Sequence, residues 1–359
     1  MSQNGLAPRW ASAPGETITA VMSEKQLDFE RTSARLNLTS RGMEDLLHGR
    51  TAITPQLAAS LSAAIGASQQ FWLARENQYR EDLVRVAADR WTQEFPLRQM
   101  AELGWIESTS DWHAQIDQCL DFFGVDSPDE WKERYEDKFQ SAHYRRSPTF
   151  SINGAATTAW FRACEKRADE IGNVERYNAN RFEESLSEIR RLTRQKDPKI
   201  FAPRLSEICA GAGVAVVVVR APSGCPASGA ARIYRDNPLI QLTARHLTDD
   251  HFWFSFFHEA AHVLQHNLDE VFLDLEDDDT GSPTEIAADL FANSTLIPNP
   301  IPPLPKKLTT RDAVRIAVEN QVSPGIIVGH LQHLGAVSQN SLNRLKRRYR
   351  WNDSNLEMK

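Results

Sequence analysis

Residues 248–265 read TDDHFWFSFFHEAAHVLQ, and the reading of this stretch decides the fold. Thr248 offers a side-chain cap, and Asp249 and Asp250 put carboxylates in a first helical turn, where the exposed N–H groups and the dipole favour negative charge. The apolar run from Phe252 continues to about Gln265 with no Gly or Pro to interrupt it, so one helix is expected throughout. On that helix His258 and His262 stand four residues apart, and both imidazoles can reach a single metal ion from one face.

A third ligand is found by moving outward. Glu285 lies on a second expected helix that begins near Pro283, and Asp289 follows one turn later on the same face. A catalytic zinc takes three protein ligands and keeps one position open, and two His with one Glu is a common set. Asp289 is then placed to accept the outer N–H of a ligand histidine, which fixes its tautomer. His266 is a rival ligand, but a straight helix carries it about 12 Å from His258, too far to share one ion. Glu259 is not needed to hold the metal. It therefore points to a catalytic site, as the base that takes a proton from an attacking water and passes it to the leaving amine. The expected cofactor is one Zn2+ per chain, and the expected reaction is peptide-bond hydrolysis.

The segment 240–298, with Thr248-Asp249-Asp250, Phe256-Phe257-His258-Glu259, Phe291-Ala292 and Leu296-Ile297-Pro298, resembles the ImmA/IrrE-type metallopeptidases. The resemblance implies a zincin-like α+β domain, with His258, His262 and Glu285 on zinc and Glu259 as the base. It also implies a substrate drawn from repressor-like regulatory proteins, the class on which these bacterial and phage enzymes act. Ala261 departs from the family pattern, which usually has Gly there; Ala is small enough to be tolerated.

Around this segment the chain is mostly helical. Residues 214–219 form a β-branched run of buried-strand type, and 231–234 with 239–243 read as two more strands joined by a turn at Asp236-Asn237-Pro238. The expected fold class is mainly α with a small mixed β-sheet. Its expected parts are a flexible arm (1–15), a helix-turn-helix bundle (16–90), a helical middle region (91–200), the peptidase domain (201–305) and a C-terminal helical region packed on it (306–359). In the middle region Trp105, Phe122, Phe123, Trp131 and Trp160 are read as core. The acidic patch 276–279 reads as a solvated loop, and the proline-rich segment 298–305 as a break. The basic tail 344–350 reads as a solvated helix face or an added phosphate contact. His330 and His333, one turn apart, are left outside the site, since spacing alone cannot bring them to it.

With 359 residues, 41% hydrophobic and 25% charged, the composition is that of a folded chain of two or three packed units. The net charge of −7 gives no global pull toward nucleic acid, so any DNA contact must be local. The longest aliphatic run is too short to cross a bilayer, and the four scattered cysteines read as reduced thiols, so a cytoplasmic protein is expected. Cys225, in a Gly/Pro loop, is near enough in sequence to approach the metal, but its spacing does not require it.

Residues 29–49 follow helix-turn-helix spacing. Thr32, Leu36, Leu38, Met43 and Leu46 face inward, Ser33 is small where two helices cross, and Asn37 sits where a left-handed turn is wanted. In this register Thr39, Ser40, Arg41 and Glu44 face outward at the start of a recognition helix, where base edges or phosphates would be met. This stretch, with Gly49, Ile53-Thr54 and Phe71-Trp72-Leu73, resembles the lambda-repressor-like XRE domains of HigA-type antitoxins. Phe29 replaces the Gln that often touches phosphate there, and Glu44 and Asp45 put negative charge on the reading helix. The expected function is therefore a zinc endopeptidase fused to a DNA-binding module, cleaving a repressor-like or toxin/antitoxin regulator. Operator DNA and a second copy of the chain are further candidate partners. The alternatives are a non-proteolytic regulator whose peptidase fold senses metal or a partner, and a helical bundle used for dimerisation or for gripping a protein.

Overall fold

The computed structural model describes residues 9–136, 148–265, 272–275, 283–304 and 308–359. The sequence expectations at residues 1–8, at His266, at the acidic patch 276–279 and at Pro305 lie outside the described residues. The chain divides into two compact units, one formed by 1–94 with 109–117 and the other by 95–108 with 118–359.

The regular structure among the described residues of the first unit is helical: α1 (Pro14–Glu24), α2 (Phe29–Arg35), α3 (Ser40–Leu47), α4 (Pro55–Ile65) and α5 (Gln69–Thr92). Four of these starts are written in the sequence as side-chain caps. Asp28, Thr39, Thr54 and Ser68 each accept a backbone N–H from the first turn that follows. Ile18, Met43, Leu46, Leu61 and Trp72 are buried together in one core, and the Trp72 indole donates to the carbonyl of Gly66 at 2.9 Å. Within the expected arm, Arg9 and Trp10 are exposed, whereas Ser12 to Gly15 are tied to the helices. Pro14 and Gly15 open α1, and Arg75 donates to the Ser12 carbonyl at 3.0 Å. A side chain on Gly15 would strike the carbonyl of Leu47, so only glycine lets α1 start this close to the end of α3.

The second unit carries a four-stranded mixed sheet of order β1-β3-β2-β4, formed by β1 (Ala215–Val218), β2 (Ala227–Tyr234), β3 (Asn237–Leu242) and β4 (Phe272–Leu275). β1 runs parallel to β3, and β2 is antiparallel to both β3 and β4. The β2–β3 turn differs from the sequence expectation. It is made by Arg235 and Asp236, both at positive φ, as a two-residue hairpin requires, while Asn237 and Pro238 already belong to β3. Pro238 is tolerated because the pairing of β3 with β1 starts only at Leu239. β2 also starts four residues earlier than its hydrophobic pattern suggests, because Ala227 to Ala230 are small residues of low strand propensity that are held there by burial.

Before the sheet come α6 (Leu97–Glu102), α7 (Trp112–Phe123), whose first turns belong to the first unit, and α8 (Pro128–Trp131), followed by α9 (Pro148–Asp169), α10 (Ala179–Leu192) and α11 (Pro198–Gly211). Phe122, Phe123, Trp131 and Trp160 are buried and Trp105 stacks on Phe122, so these aromatics are core. A buried ion network joins α9 to the sheet: Arg232 pairs with Glu165 at 3.0 Å and donates to Gln241 at 2.9 Å. After the sheet come α12 (Asp249–Gln265), α13 (Pro283–Leu296), α14 (Thr310–Asn320) and α15 (Pro324–His333). α12 is enclosed by α13, α15, β2 and β3, and Phe252, Trp253, Phe256 and Phe257 are all buried in the core around it. At about 1.5–3 kcal/mol for each buried large side chain, these four residues hold the helix firmly in place.

The C-terminal segment departs from its helical expectation. It ends in a hairpin of β5 (Tyr349–Asn352) and β6 (Asn355–Met358), and of the basic residues Arg344, Arg348 and Arg350 are exposed while Lys346 and Arg347 turn inward. Arg347 donates to the carbonyls of Thr193, Arg194 and Gln195, just past the end of α10, and Lys346 pairs with Asp250 at 2.6 Å.

Candidate metal centre

His258 and His262 project from α12 and Glu285 from the first turn of α13, so the site is assembled by the packing of these two helices. The ligand atoms of the three residues lie within 4.8 Å of one another. His258 Nε2 faces His262 Nε2 at 3.1 Å and Glu285 Oε2 at 3.0 Å, and His262 Nε2 lies 3.6 Å from Glu285 Oε1. Both histidines are buried and Glu285 is half-buried.

The outer nitrogen of His258, Nδ1, donates to Asp289 Oδ1 at 2.9 Å. That hydrogen bond leaves Nε2 with its lone pair, pointing into the cluster. Lone pairs of two imidazoles and a carboxylate at these separations repel unless protons or a cation lie among them. Tetrahedral zinc, with ligand bonds near 2.0–2.1 Å, sets donors about 3.3 Å apart, so the three residues fit the ion by spacing as well as by chemistry. For Glu285 burial pushes the carboxyl pKa up, but hydrogen bonds and charge from His258 and His262 outweigh it and hold the group well below the usual carboxylate range.

Glu259 is fully buried next to the ligands. Its carboxylate lies against β2, where a side chain on Gly229 would come within 2.6 Å of Glu259 Oε1. Gly229, which the sequence reading did not single out, therefore makes the space in which this carboxylate sits. Ala261 is fully buried on the same helix.

One further residue escaped the sequence reading, and it reaches His330, which that reading left outside the site. Asn293 continues the four-residue spacing of Glu285 and Asp289, a signal that was available, and its side chain donates to the Asp289 carbonyl at 2.9 Å. His330 Nδ1 meets Asn293 Oδ1 at 2.9 Å, which ties His330 to α13 one helical turn beyond Asp289. Burial, with the charge of neighbouring His333, pushes the His330 pKa down and favours the neutral ring. Cys225 is buried beside Thr157, and burial raises its thiol pKa; it is not part of the cluster.

In the first unit Thr39, Ser40, Arg41 and Glu44 are all exposed at the start of α3, and Asn37 has the left-handed φ of 55° in the turn before it. Thr32, Ser33, Leu36, Met43 and Leu46 are buried, while Leu38 is only half-buried. The Thr39 hydroxyl accepts from Gly42 N at 3.1 Å, so its first role is to cap the helix.

Residues 213–331, which contain the sheet, the metal cluster and most of α15, match the family model described as the IrrE N-terminal-like domain. A stretch of 66 residues, 18% of the chain, is 30% identical to the uncharacterized HTH-type transcriptional regulator YddM of Escherichia coli (strain K12) and spans 70% of that protein. The chain joins an IrrE N-terminal-like domain to a stretch that belongs with these HTH-type regulators. No solved structure matches it. The His/His/Glu cluster lies inside the IrrE-like domain. Among the described residues, no helix is long and apolar enough to cross a membrane.

Proposed function

We propose that this protein is a zinc-dependent endopeptidase of the cytoplasm, fused to a DNA-binding helix-turn-helix, that cleaves a repressor-like or toxin/antitoxin regulatory protein. The observation that carries the reading is the buried Glu259 carboxylate beside three residues whose ligand atoms converge within 4.8 Å. A structural metal site has no use for that carboxylate. Bound by His258, His262 and Glu285, zinc would polarise a scissile carbonyl and make a nearby water easier to deprotonate. Glu259 takes the proton of the attacking water and delivers it to the leaving amine. Asp289 positions His258 through Nδ1, and Gly229 keeps the space that Glu259 needs. Thr39, Ser40, Arg41 and Glu44 face operator DNA in this reading, with a dimer of the chain on paired half-sites.

The test combines zinc content by elemental analysis with cleavage of co-expressed repressor and antitoxin proteins. Glu259→Gln keeps one zinc per chain and loses cleavage by at least about a hundredfold, the scale of a lost general base. His262→Ala loses both. Wild-type cleavage by Glu259→Gln overturns the mechanism. A wild-type chain that takes up no zinc turns the reading to a non-proteolytic transcriptional regulator; transcriptional regulation is the role that the name of YddM gives to that protein.

A further inference from the structure

A cavity of about 290 Å³ opens beside the metal centre, on the far side of the His258 ring from the ligand cluster. Its apolar wall includes Phe254, Ile297 and Ile326, and its polar wall includes Asp250, Asp289 and His330. This volume suits a molecule of one ring rather than a peptide, being near the lower end of the usual range for small-molecule pockets. Asp250 is more than nine-tenths buried. Its Oδ2 takes the Lys346 ammonium at 2.6 Å, whereas its Oδ1 is buried and accepts no hydrogen bond from any described residue. A buried carboxylate oxygen without a donor is costly, and a ligand's donor relieves that cost only where the cavity wall yields enough for it to reach Oδ1.

The other polar groups ask for the same chemistry. Asn293 gives its N–H to Asp289, so it turns its oxygen to His330, whose Nδ1 must then be the donor and whose Nε2 is left as an acceptor. Asp289 is a carboxylate with a partly exposed side chain. Lys346, the one cation among these lining groups, is already committed to Asp250. We infer that this cavity is a binding site for a small uncharged ligand with a flat apolar body and an N–H or O–H donor, and that Asp289 couples its occupancy to the metal centre. A ligand that engages Asp289 changes how firmly that carboxylate holds His258. By reciprocity, the metal changes the affinity for the ligand by the same factor. The coupling rests on the metal-site reading, whereas the binding does not.

The probe is benzamide, with N,N-dimethylbenzamide as the same body without an N–H donor, followed by ligand-observed NMR on the full chain with and without zinc. Benzamide saturates with a Kd in the millimolar range, as its size implies, and the dimethyl compound binds at least about tenfold more weakly. Ile297→Trp, which fills the cavity from its apolar side, abolishes binding while circular dichroism shows the chain folded; His330→Phe does so from the polar side. Saturating benzamide shifts zinc affinity, read by chelator competition, by about threefold or more. Equal affinity for the two compounds, binding that survives Ile297→Trp, or no binding of benzamide at all overturns the site. Binding that is intact with zinc affinity unmoved overturns the coupling alone. Binding in a chain that takes up no zinc keeps the site while the peptidase reading fails.

Discussion

Asp249 has no exposed surface, yet it accepts from Ser323 Oγ at 2.7 Å and from the backbone N–H of Arg347 at 2.9 Å. Burial outweighs these hydrogen bonds and raises its pKa from 3.8 to about 6. The folded chain therefore binds this proton more tightly than the unfolded chain, and the stability it contributes is present below pH 4 and lost as pH rises through 6. The loss is about 3 kcal/mol for a shift of this size. Denaturant melts of wild type and Asp249→Asn between pH 4 and 7 should show the balance moving toward the variant as pH rises. A difference that stays constant over that range would remove the titration from Asp249. The carboxylate is legible in sequence as a first-turn acid, but its burial is not, because the groups that cover it come from 323 and 347.

At the scale of the element, the basic tail shows how composition misleads. Arg344 to Arg350 has the charge of a solvated helix, but Arg347 is mostly buried, with its guanidinium committed to three carbonyls past α10 and lying 4.0 Å from Asp249. Arg347→Ala leaves a buried carboxylate without its cation and should cost about 3–5 kcal/mol in chemical denaturation. Arg347→Lys, with fewer donors, should recover only part of that. The helix-turn-helix was more legible, because caps and a left-handed Asn are local signals. Thr39→Ala removes a cap and should destabilise the first unit by about 1 kcal/mol. Arg41→Ala touches no core and should leave stability within about 0.5 kcal/mol. If α3 reads DNA, a gel shift on the operator weakens in Arg41→Ala; an unchanged shift removes this helix from the interface.

At the scale of the molecule, each unit has its own core, and among the described residues the cluster that could hold a metal comes from the second. An ion that binds only the folded state stabilises that state by about 4 kcal/mol at a thousandfold excess over Kd. Chelation should therefore lower hydrogen-exchange protection in α12 and α13 and leave α1 to α5 unchanged. Equal loss of protection in both units would place the ion elsewhere, or make the two units one cooperative body.

The sequence by itself determined what is local: the four-residue spacing of His258 and His262, Asn37 in its turn, and the β-branched run that became β1. These follow from backbone geometry and neighbouring side chains within a few residues. Tertiary structure decided where Glu285 and Asp289 meet the histidines, because a separate helix delivers them. It also decided the small-residue start of β2 beneath Glu259, the C-terminal hairpin, and the approach of His330 and Asp250 to one cavity. Each of these depends on burial between segments tens of residues apart, and no periodicity within one segment encodes which partner will cover it.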